Sequence, residues 1–181
     1  MQTITKSLSS QAARSNNEHT FEDLYRHYFV RLFRFCFSIV HVKEPAEEIV
    51  NDVFLQLWKK RDNLSGIDNL DVYLYVAVKN LSLNYLRNNH YPHTLEIEGR
   101  CDNYIQFNAD PEALYLHSEA LQNVRTAIDK LPPRCKLIFS LIKEDGLKQK
   151  DVAHLLGLSV KTVEAQLVIA IRKIAGSLGK S

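Results

Sequence analysis

Residues 148–174 read KQKDVAHLLGLSVKTVEAQLVIAIRKI and predict a helix-turn-helix. The first helix has the small Ala153 where two helices would cross closely, and Gly157 follows at the turn, where glycine adopts a left-handed backbone without strain. Ser159 is a residue type that caps the start of a helix. The second helix carries an apolar stripe that we expect to face inward: Val163, Leu167, Ala170, Ile171 and Ile174. Such a motif is typical of a recognition helix that enters the major groove of DNA.

The charge of the chain is distributed unevenly. The 181 residues carry 23 Lys and Arg against 21 Asp and Glu, a formal charge of +2. Residues 118–181 carry +5, whereas residues 91–117 carry −4 and contain two prolines, one glycine and no sustained hydrophobic period. A shift of this kind marks separate modules. We therefore predict a front module over 18–90, a linker over 91–117 and a back module over 118–178.

The hydrophobic pattern of both modules is helical, and no segment alternates with period two. In the back module, one helix runs up to Lys130 and a second ends at Gly146. In the front module, helices are predicted over 21–40, from Pro45 onward, and from about Leu70 to Asn88. The predicted fold class is all-α, with two small helical domains joined by a linker and a helix-turn-helix ending the C-terminal one.

Several function classes are disfavoured by what the sequence lacks. No apolar run reaches the roughly 18–20 residues of a membrane span, and the first 17 residues have no apolar core typical of a secretory signal. The three cysteines form no CxxC pair, and the histidines are scattered. HExxH, GxSxG and phosphate-loop motifs are absent. We predict a cytoplasmic protein without membrane insertion, metal, other cofactor or enzymatic activity.

Two helices of the front module have polar faces of interest. The helix from Pro45 carries Leu55 on its otherwise polar side, which hints at a partner, although a solvated face is the ordinary explanation of the other residues there. On the third helix, Tyr73, Asn80, Asn84 and Arg87 form a stripe with Lys79 beside it. An aromatic ring, amides and cations are the components of a surface that binds unpaired bases. An ordinary polar helix face is the alternative.

The two modules together resemble a bacterial sigma factor of the sigma-70 family, in the extracytoplasmic-function (ECF) group, with the FecI-like factors as the nearest likeness. AEEIVNDVFLQLWKKRD and YLYVAVKNLSLNYLR are similar to region two of that family. AIDKLPPRCKLIF, EDGLKQKDVAHLLGLSVKTVE and AIRKI are similar to region four. The resemblance implies a subunit that directs core RNA polymerase to promoters, that reads the minus-thirty-five element as duplex, and that binds the minus-ten element once melted.

The resemblance also implies roles for individual residues. Docking on the clamp helices of the largest polymerase subunit would use Glu48, Asn51, Asp52, Leu55 and Gln56. The melted minus-ten element would meet Asn63, Ser65, Asn69, Tyr73, Lys79, Asn80, Asn84 and Arg87. The minus-thirty-five element would meet Val160, Lys161, Thr162, Glu164, Ala165, Gln166, Ile169 and Arg172. The implied partners are core polymerase (clamp helices and flap), promoter DNA and an anti-sigma factor.

One position departs from the family pattern. Many relatives carry Arg or Lys where this chain has Ile169, and Ile169 forms an apolar patch with Val168 and Ala165 on the outer face of the recognition helix. Loss of a phosphate contact, contact with thymine methyl groups, contact with an anti-sigma factor and tolerated drift all fit this apolar patch. A second interpretation of the whole chain also stays open at this point, namely a helix-turn-helix regulator that binds duplex DNA without polymerase.

Overall fold

The computed structural model describes residues 18–61, 66–89 and 119–178, and these residues are mainly helical. The front helices are α1 (Glu18–Val40), α2 (Lys43–Lys59) and α3 (Leu70–Asn88). The back helices are α4 (Glu119–Asp129), α5 (Pro133–Phe139), a π-helical turn (Ser140–Glu144), α6 (Gln149–Leu156) and α7 (Val160–Leu178). No strand occurs in these ranges, and the predicted all-α class is confirmed. The predicted linker 91–117 lies outside the described residues.

Helix α1 forms the centre of the front module because it packs against both α2 and α3. Its inward face is almost entirely buried, with Leu24, Tyr28 and Leu32 at the core. The Tyr28 hydroxyl donates to Asp71 Oδ1 at the start of α3, 2.7 Å away. Edge-to-face aromatic contacts join α1 to α2; the ring centroids of Phe21 and Trp58, for example, are 4.8 Å apart. These contacts hold the three helices as one unit.

The start of α2 differs from the prediction. The helix begins at Lys43, two residues before Pro45, and Val42 takes the capping position with an extended backbone. The first intrahelical bond runs from the Ala46 amide to the Val42 carbonyl at 3.3 Å. Amides of the first turn have no intrahelical acceptor, so proline is tolerated at the third helical position as well as the first.

The back module packs α4 and α5 against α7. Leu131, Cys135 and Ala170 form a small buried cluster between them. Val163 and Leu167 are buried as predicted, but the prediction for Ile171 is wrong, since its side chain is 45% exposed. At about 100° per residue, Ile171 falls outside the arc that α5 and α6 cover.

The two modules share one apolar core. Buried residues of the back module (Leu137, Ile138, Leu141 and Val152 among them) belong to the same cluster as those of α1, α2 and α3. Helix α6 contacts α3 directly. The sequence predicted two modules but contained no signal for how they meet, and the structure places them face to face.

No single helix within the described ranges is long and apolar enough to cross a membrane; α6 and α7 satisfy that test only as a pair bent by 109°. That pair is the helix-turn-helix itself.

Cys36 joins α1 to α3 in the core. Ser82 Oγ donates to the Val78 carbonyl at 2.8 Å, so the contact of 3.1 Å between Cys36 Sγ and Ser82 Oγ has the thiol as its donor. Burial raises the pKa of the Cys36 thiol to about 11. The thiolate is the reactive species, and this thiol therefore stays protonated at neutral pH.

We expect iodoacetamide at pH 8 to alkylate Cys36 at least roughly 100-fold more slowly in the native chain than in urea, because a pKa about two units above normal removes that share of thiolate. Peptide mass spectrometry of timed samples measures both rates. Equal rates in the native and denatured chain would contradict the burial of this thiol.

Candidate nucleic-acid interface

The turn between α6 and α7 contains a glycine in the left-handed conformation, as the sequence predicts. Gly157 has φ 66° and ψ 35°, the left-handed conformation. The Leu158 amide donates to the Ala153 carbonyl at 2.8 Å and the Gly157 amide donates to His154 at 3.3 Å. These two bonds form a Schellman motif, which ends α6 and redirects the chain. Helix α7 then leaves at 109° to α6, within the range of about 90–120° for this motif.

Ser159 begins α7 by capping it. Its Oγ accepts from the Thr162 amide at 3.0 Å and lies 2.8 Å from the Thr162 hydroxyl. The cap satisfies one of the amides that the first turn leaves without a partner. The predicted role of Ser159 as N-cap is therefore confirmed, and Thr162 is held close to the helix start.

The outer face of α7 carries most of the residues predicted to meet duplex DNA. Val160, Lys161, Glu164, Ala165, Ile169 and Arg172 are exposed. Gln166 is different, because it is half-buried and its Oε1 accepts a hydrogen bond from the Cys135 thiol at 2.9 Å. Gln166 therefore ties α7 to α5, in addition to lying next to the exposed face. Val168 is exposed beside Ile169, so the apolar patch faces outward.

Two exposed cations near this face were missed by the sequence interpretation. Lys148 occupies the position just before α6 without a side-chain capping bond, Lys150 lies in the first turn, and both are exposed. In this motif the first helix crosses the DNA backbone, so lysines at its start are placed for phosphate contacts. Both lysines contribute to the +5 charge of residues 118–181, which the sequence interpretation assigned to the back module as a whole and not to individual residues.

The second candidate surface is a stripe on α3. Asn80, Asn84 and Arg87 are exposed and Tyr73 is half-buried against the core. Asn84 Oδ1 accepts from Arg87 Nη2 at 2.8 Å, so the amide orients the guanidinium. Lys79 is half-buried and lies roughly 100° around the helix from this stripe, next to the buried face. The structure thus brings together four of the five predicted α3 residues.

The connection before α3 is only partly described. Asn69 caps α3, since its Oδ1 accepts from the Val72 amide at 3.2 Å. Asn63 and Ser65 lie outside the described residues. Asn69 is exposed at the N-terminal end of the α3 stripe. Its side-chain Oδ1 is already engaged by the Val72 amide.

The third candidate surface is the outward face of α2. Glu48, Asn51, Asp52, Leu55 and Gln56 are all exposed. Leu55 is the most exposed large apolar side chain among the described residues, at 55%. The Tyr25 hydroxyl donates to Asn51 Oδ1 at 3.0 Å at the edge of this face. Burial, and secondarily the charge of Glu47, raises the pKa of Tyr25.

Comparison with known proteins gives one family in both modules. Residues 13–90 match the family profile described as Sigma-70 region 2, and residues 121–174 match Sigma-70, region 4. The ECF RNA polymerase sigma factor SigE of Mycolicibacterium smegmatis is 21% identical over 82% of this chain, which spans only 57% of SigE. The RNA polymerase sigma factor YlaC of Bacillus subtilis is 23% identical over 88% of this chain and 92% of YlaC.

One solved structure has a similar fold. CnrH, in complex with the cytosolic domain of CnrY, superposes with a TM-score of 0.50 and 23% identity, over 96% of each chain. At this identity the likeness concerns the fold.

We expect Ser159→Ala to lower the free energy of unfolding by about 1 kcal/mol, because the Thr162 amide loses its capping acceptor. Urea unfolding followed by far-UV circular dichroism measures the change. Ser177→Ala, at an exposed position near the other end of α7, is the matched control and should change stability by less than about 0.5 kcal/mol. Equal effects of both variants would contradict the cap.

Proposed function

Because the chain belongs to the sigma-70 family of RNA polymerase sigma factors, in its ECF group, we propose that it joins core RNA polymerase, directs it to specific promoters and initiates transcription. Within this proposal, residues 18–90 dock on polymerase and handle the minus-ten element, and residues 118–178 read the minus-thirty-five element. Residues 91–117 connect the two. The FecI-like assignment stays a prediction from the sequence.

One observation carries the proposal: the chain has two DNA-compatible surfaces of different chemistry, one on each module. The outer face of α7 carries exposed charged and small side chains, and α7 makes an angle of 109° with the short helix α6 that precedes it. Such a helix suits the major groove of duplex DNA. The α3 stripe offers an aromatic ring, amides and a guanidinium, which suit unpaired bases. A protein that reads one duplex element and holds one melted element needs both.

On the front module, the α3 stripe would bind the minus-ten element once it is open. Tyr73 is placed to stack on a base, while Asn80 and the Asn84–Arg87 pair offer hydrogen bonds and positive charge to the strand. Asn69, with Asn63 and Ser65, would receive a flipped base, which costs least where the duplex is already open. Lys79, about 100° around α3 from the stripe, would add positive charge near the strand.

The outward face of α2 would dock on the clamp helices of the largest polymerase subunit. It combines Leu55, an exposed apolar anchor, with the flanking acids and amides Glu48, Asn51, Asp52 and Gln56. An apolar centre with a polar rim is the usual composition of a protein–protein contact. The back module would contact the flap of the polymerase.

Catalysis in this proposal belongs to the polymerase. The chain supplies promoter choice and help with melting, requires no metal or cofactor for that role, and acts in the cytoplasm, where polymerase and promoters are found.

An anti-sigma factor is a further proposed partner. CnrH, which has a similar fold, was solved with the cytosolic domain of a second protein, CnrY. On this chain the exposed Val168 and Ile169 give the back module an apolar patch that such a partner could cover.

The experiment that tests the function is in vitro transcription with the full chain and purified core polymerase on a promoter library. Initiation that requires both components supports a sigma factor. No initiation on any template would overturn it. The alternative, a helix-turn-helix regulator, requires promoter binding by the chain alone, with an affinity that core polymerase leaves unchanged.

We expect Leu55→Ala to weaken binding to core polymerase about tenfold, since the largest apolar anchor of the α2 face is removed. The side chain is exposed, so folding should be unaffected. Titration of labelled chain with core polymerase measures the affinity, and Val30→Ala, at an exposed apolar position on α1, is the control. Unchanged affinity in Leu55→Ala would show that this face does not dock.

We expect Ile169→Arg to strengthen promoter binding by the holoenzyme and to steepen the dependence of log affinity on log salt by about one, as one more phosphate is neutralised. Ser177→Arg adds the same charge to the same helix two turns further on and should leave the slope unchanged. Unchanged or weaker binding in the salt titration of Ile169→Arg would contradict a DNA contact at this position.

A further inference from the structure

Gln166 lies on the boundary between the buried stripe and the outer face of α7. At about 100° per residue, it is about 40° around the helix from the buried Ala170 and about 60° from the exposed Ile169. It lies about two turns from the start of α7 at Val160. Residues in the N-terminal part of a recognition helix are the ones that contact base edges. One half-buried side chain at this position can therefore face both the core and the DNA.

The inner end of Gln166 is held by a thiol of another helix. Cys135 lies in the first turn of α5 and is buried, with 3% of its surface exposed. It belongs to the small apolar cluster with Leu131 and Ala170, so packing fixes the position of its sulfur. The thiol donates to Gln166 Oε1 at 2.9 Å. The carbonyl end of the amide therefore faces α5.

The chemistry of the two groups sets the direction of this bond. A thiol sulfur is a weak acceptor, whereas an amide oxygen accepts through two lone pairs. With the amide reversed, its N–H would meet the weakly accepting sulfur and the S–H would lose its acceptor. Burial raises the pKa of the Cys135 thiol, while Lys173, Arg134 and the Cys135 backbone amide act in the opposite direction. The balance favours the protonated thiol, which is the form that donates.

The other end of the amide keeps its donors. Among the described residues, Gln166 Nε2 has no hydrogen-bond acceptor, and it is not one of the buried polar atoms there that lack a partner. Nε2 is therefore accessible to solvent, with both N–H groups available. A free glutamine offers an acceptor and donors, whereas this one offers donors alone.

We propose that Cys135 is a positioning residue for promoter reading, an inference that rests on the proposed function: by occupying Oε1, it makes Gln166 a pure donor toward DNA. In the major groove, guanine and thymine present acceptors and no donor, whereas adenine and cytosine each present an amino donor. An unconstrained glutamine binds adenine with both ends of its amide, and that contact needs Oε1. Gln166 held by Cys135 therefore selects the keto bases guanine and thymine against the amino bases adenine and cytosine.

The constraint on the amide is measured first, in the free full-length chain. The Gln166 side-chain amide, identified in nitrogen–proton NMR spectra by its loss in Gln166→Ala, should have an order parameter above about 0.6. Cys135→Ala should lower the order parameter below that value, because the amide loses its donor. Cys135→Ser keeps a hydroxyl donor and should retain the wild-type value. A wild-type amide as mobile as that of Cys135→Ala would overturn the proposal.

Ile128→Val is the matched control for packing. Ile128 packs against the same apolar cluster as Cys135, and the substitution removes one methyl group and no hydrogen-bond donor. The Gln166 order parameter should therefore stay at the wild-type value. Equal mobility in Ile128→Val and Cys135→Ala would reduce Cys135 to a packing role and overturn the proposal.

Base preference is measured second, by in vitro transcription with core polymerase. The templates carry each of the four base pairs at each position of the minus-thirty-five element, and Gln166→Ala should flatten the preference at the pair that Gln166 reads. At that pair, the wild type should separate keto from amino bases on one strand by at least about fivefold. Cys135→Ala should reduce this ratio at least about threefold, because Oε1 can then accept from an amino group. Cys135→Ser and Ile128→Val should keep the wild-type ratio.

The two measurements fail separately. The proposal is overturned if Gln166→Ala flattens no position, if the wild-type division at that pair follows purine against pyrimidine or A·T against G·C, or if Cys135→Ala keeps the wild-type ratio. No core-dependent initiation on any template would refute the proposed function. The order parameters are measured without polymerase or DNA, so they would still decide whether Cys135 holds Gln166.

Discussion

Burial of one face of α1 is the constraint on which the rest of the structure depends. Leu24, Tyr28 and Leu32 must leave water, and α2 and α3 cover them from two sides. The apolar stripes of α2 and α3 pack against α1. A different face of each of these two helices is therefore turned outward. Those outward faces are the polymerase and minus-ten surfaces of the proposal. Fold and function therefore use different sides of the same helices, and most functional substitutions should leave the core intact.

In the back module, too, the buried face of a helix is separate from the face that is turned outward. The Schellman turn at Gly157 and the cap at Ser159 orient α7, so its buried stripe packs on α5 and α6 while Lys161, Ala165 and Arg172 face outward. Gln166 is the exception, since it is shared between the Cys135 contact and the edge of the outer face. Substitution there would remove the hydrogen bond from Cys135 as well as the DNA contact of the proposed function.

The sequence predicted correctly those features that depend on a single helix and its hydrophobic periodicity. The α3 bounds, the left-handed Gly157 and the exposed Leu55 all follow from local patterns. It was less successful where a neighbouring helix decides. Ile171 fits the helical period of a buried residue, yet no helix among the described residues covers it. Lys79 is predicted beside the α3 stripe, yet in the structure it lies about 100° around the helix from it, next to the buried face.

By itself, the sequence determined the all-helical class, the division into two modules and the residue types on each outward face, because these depend on periodicity and capping over a few turns. Only the tertiary structure decided that the modules share a core and that Tyr75 and Arg34 meet Asp145 and Glu144. Those partners are 70 and 110 residues apart in sequence, and no local pattern distinguishes them from ordinary surface charges. Their pairing depends on how α1, α3 and the π-helical turn pack together, which is a property of the assembled core.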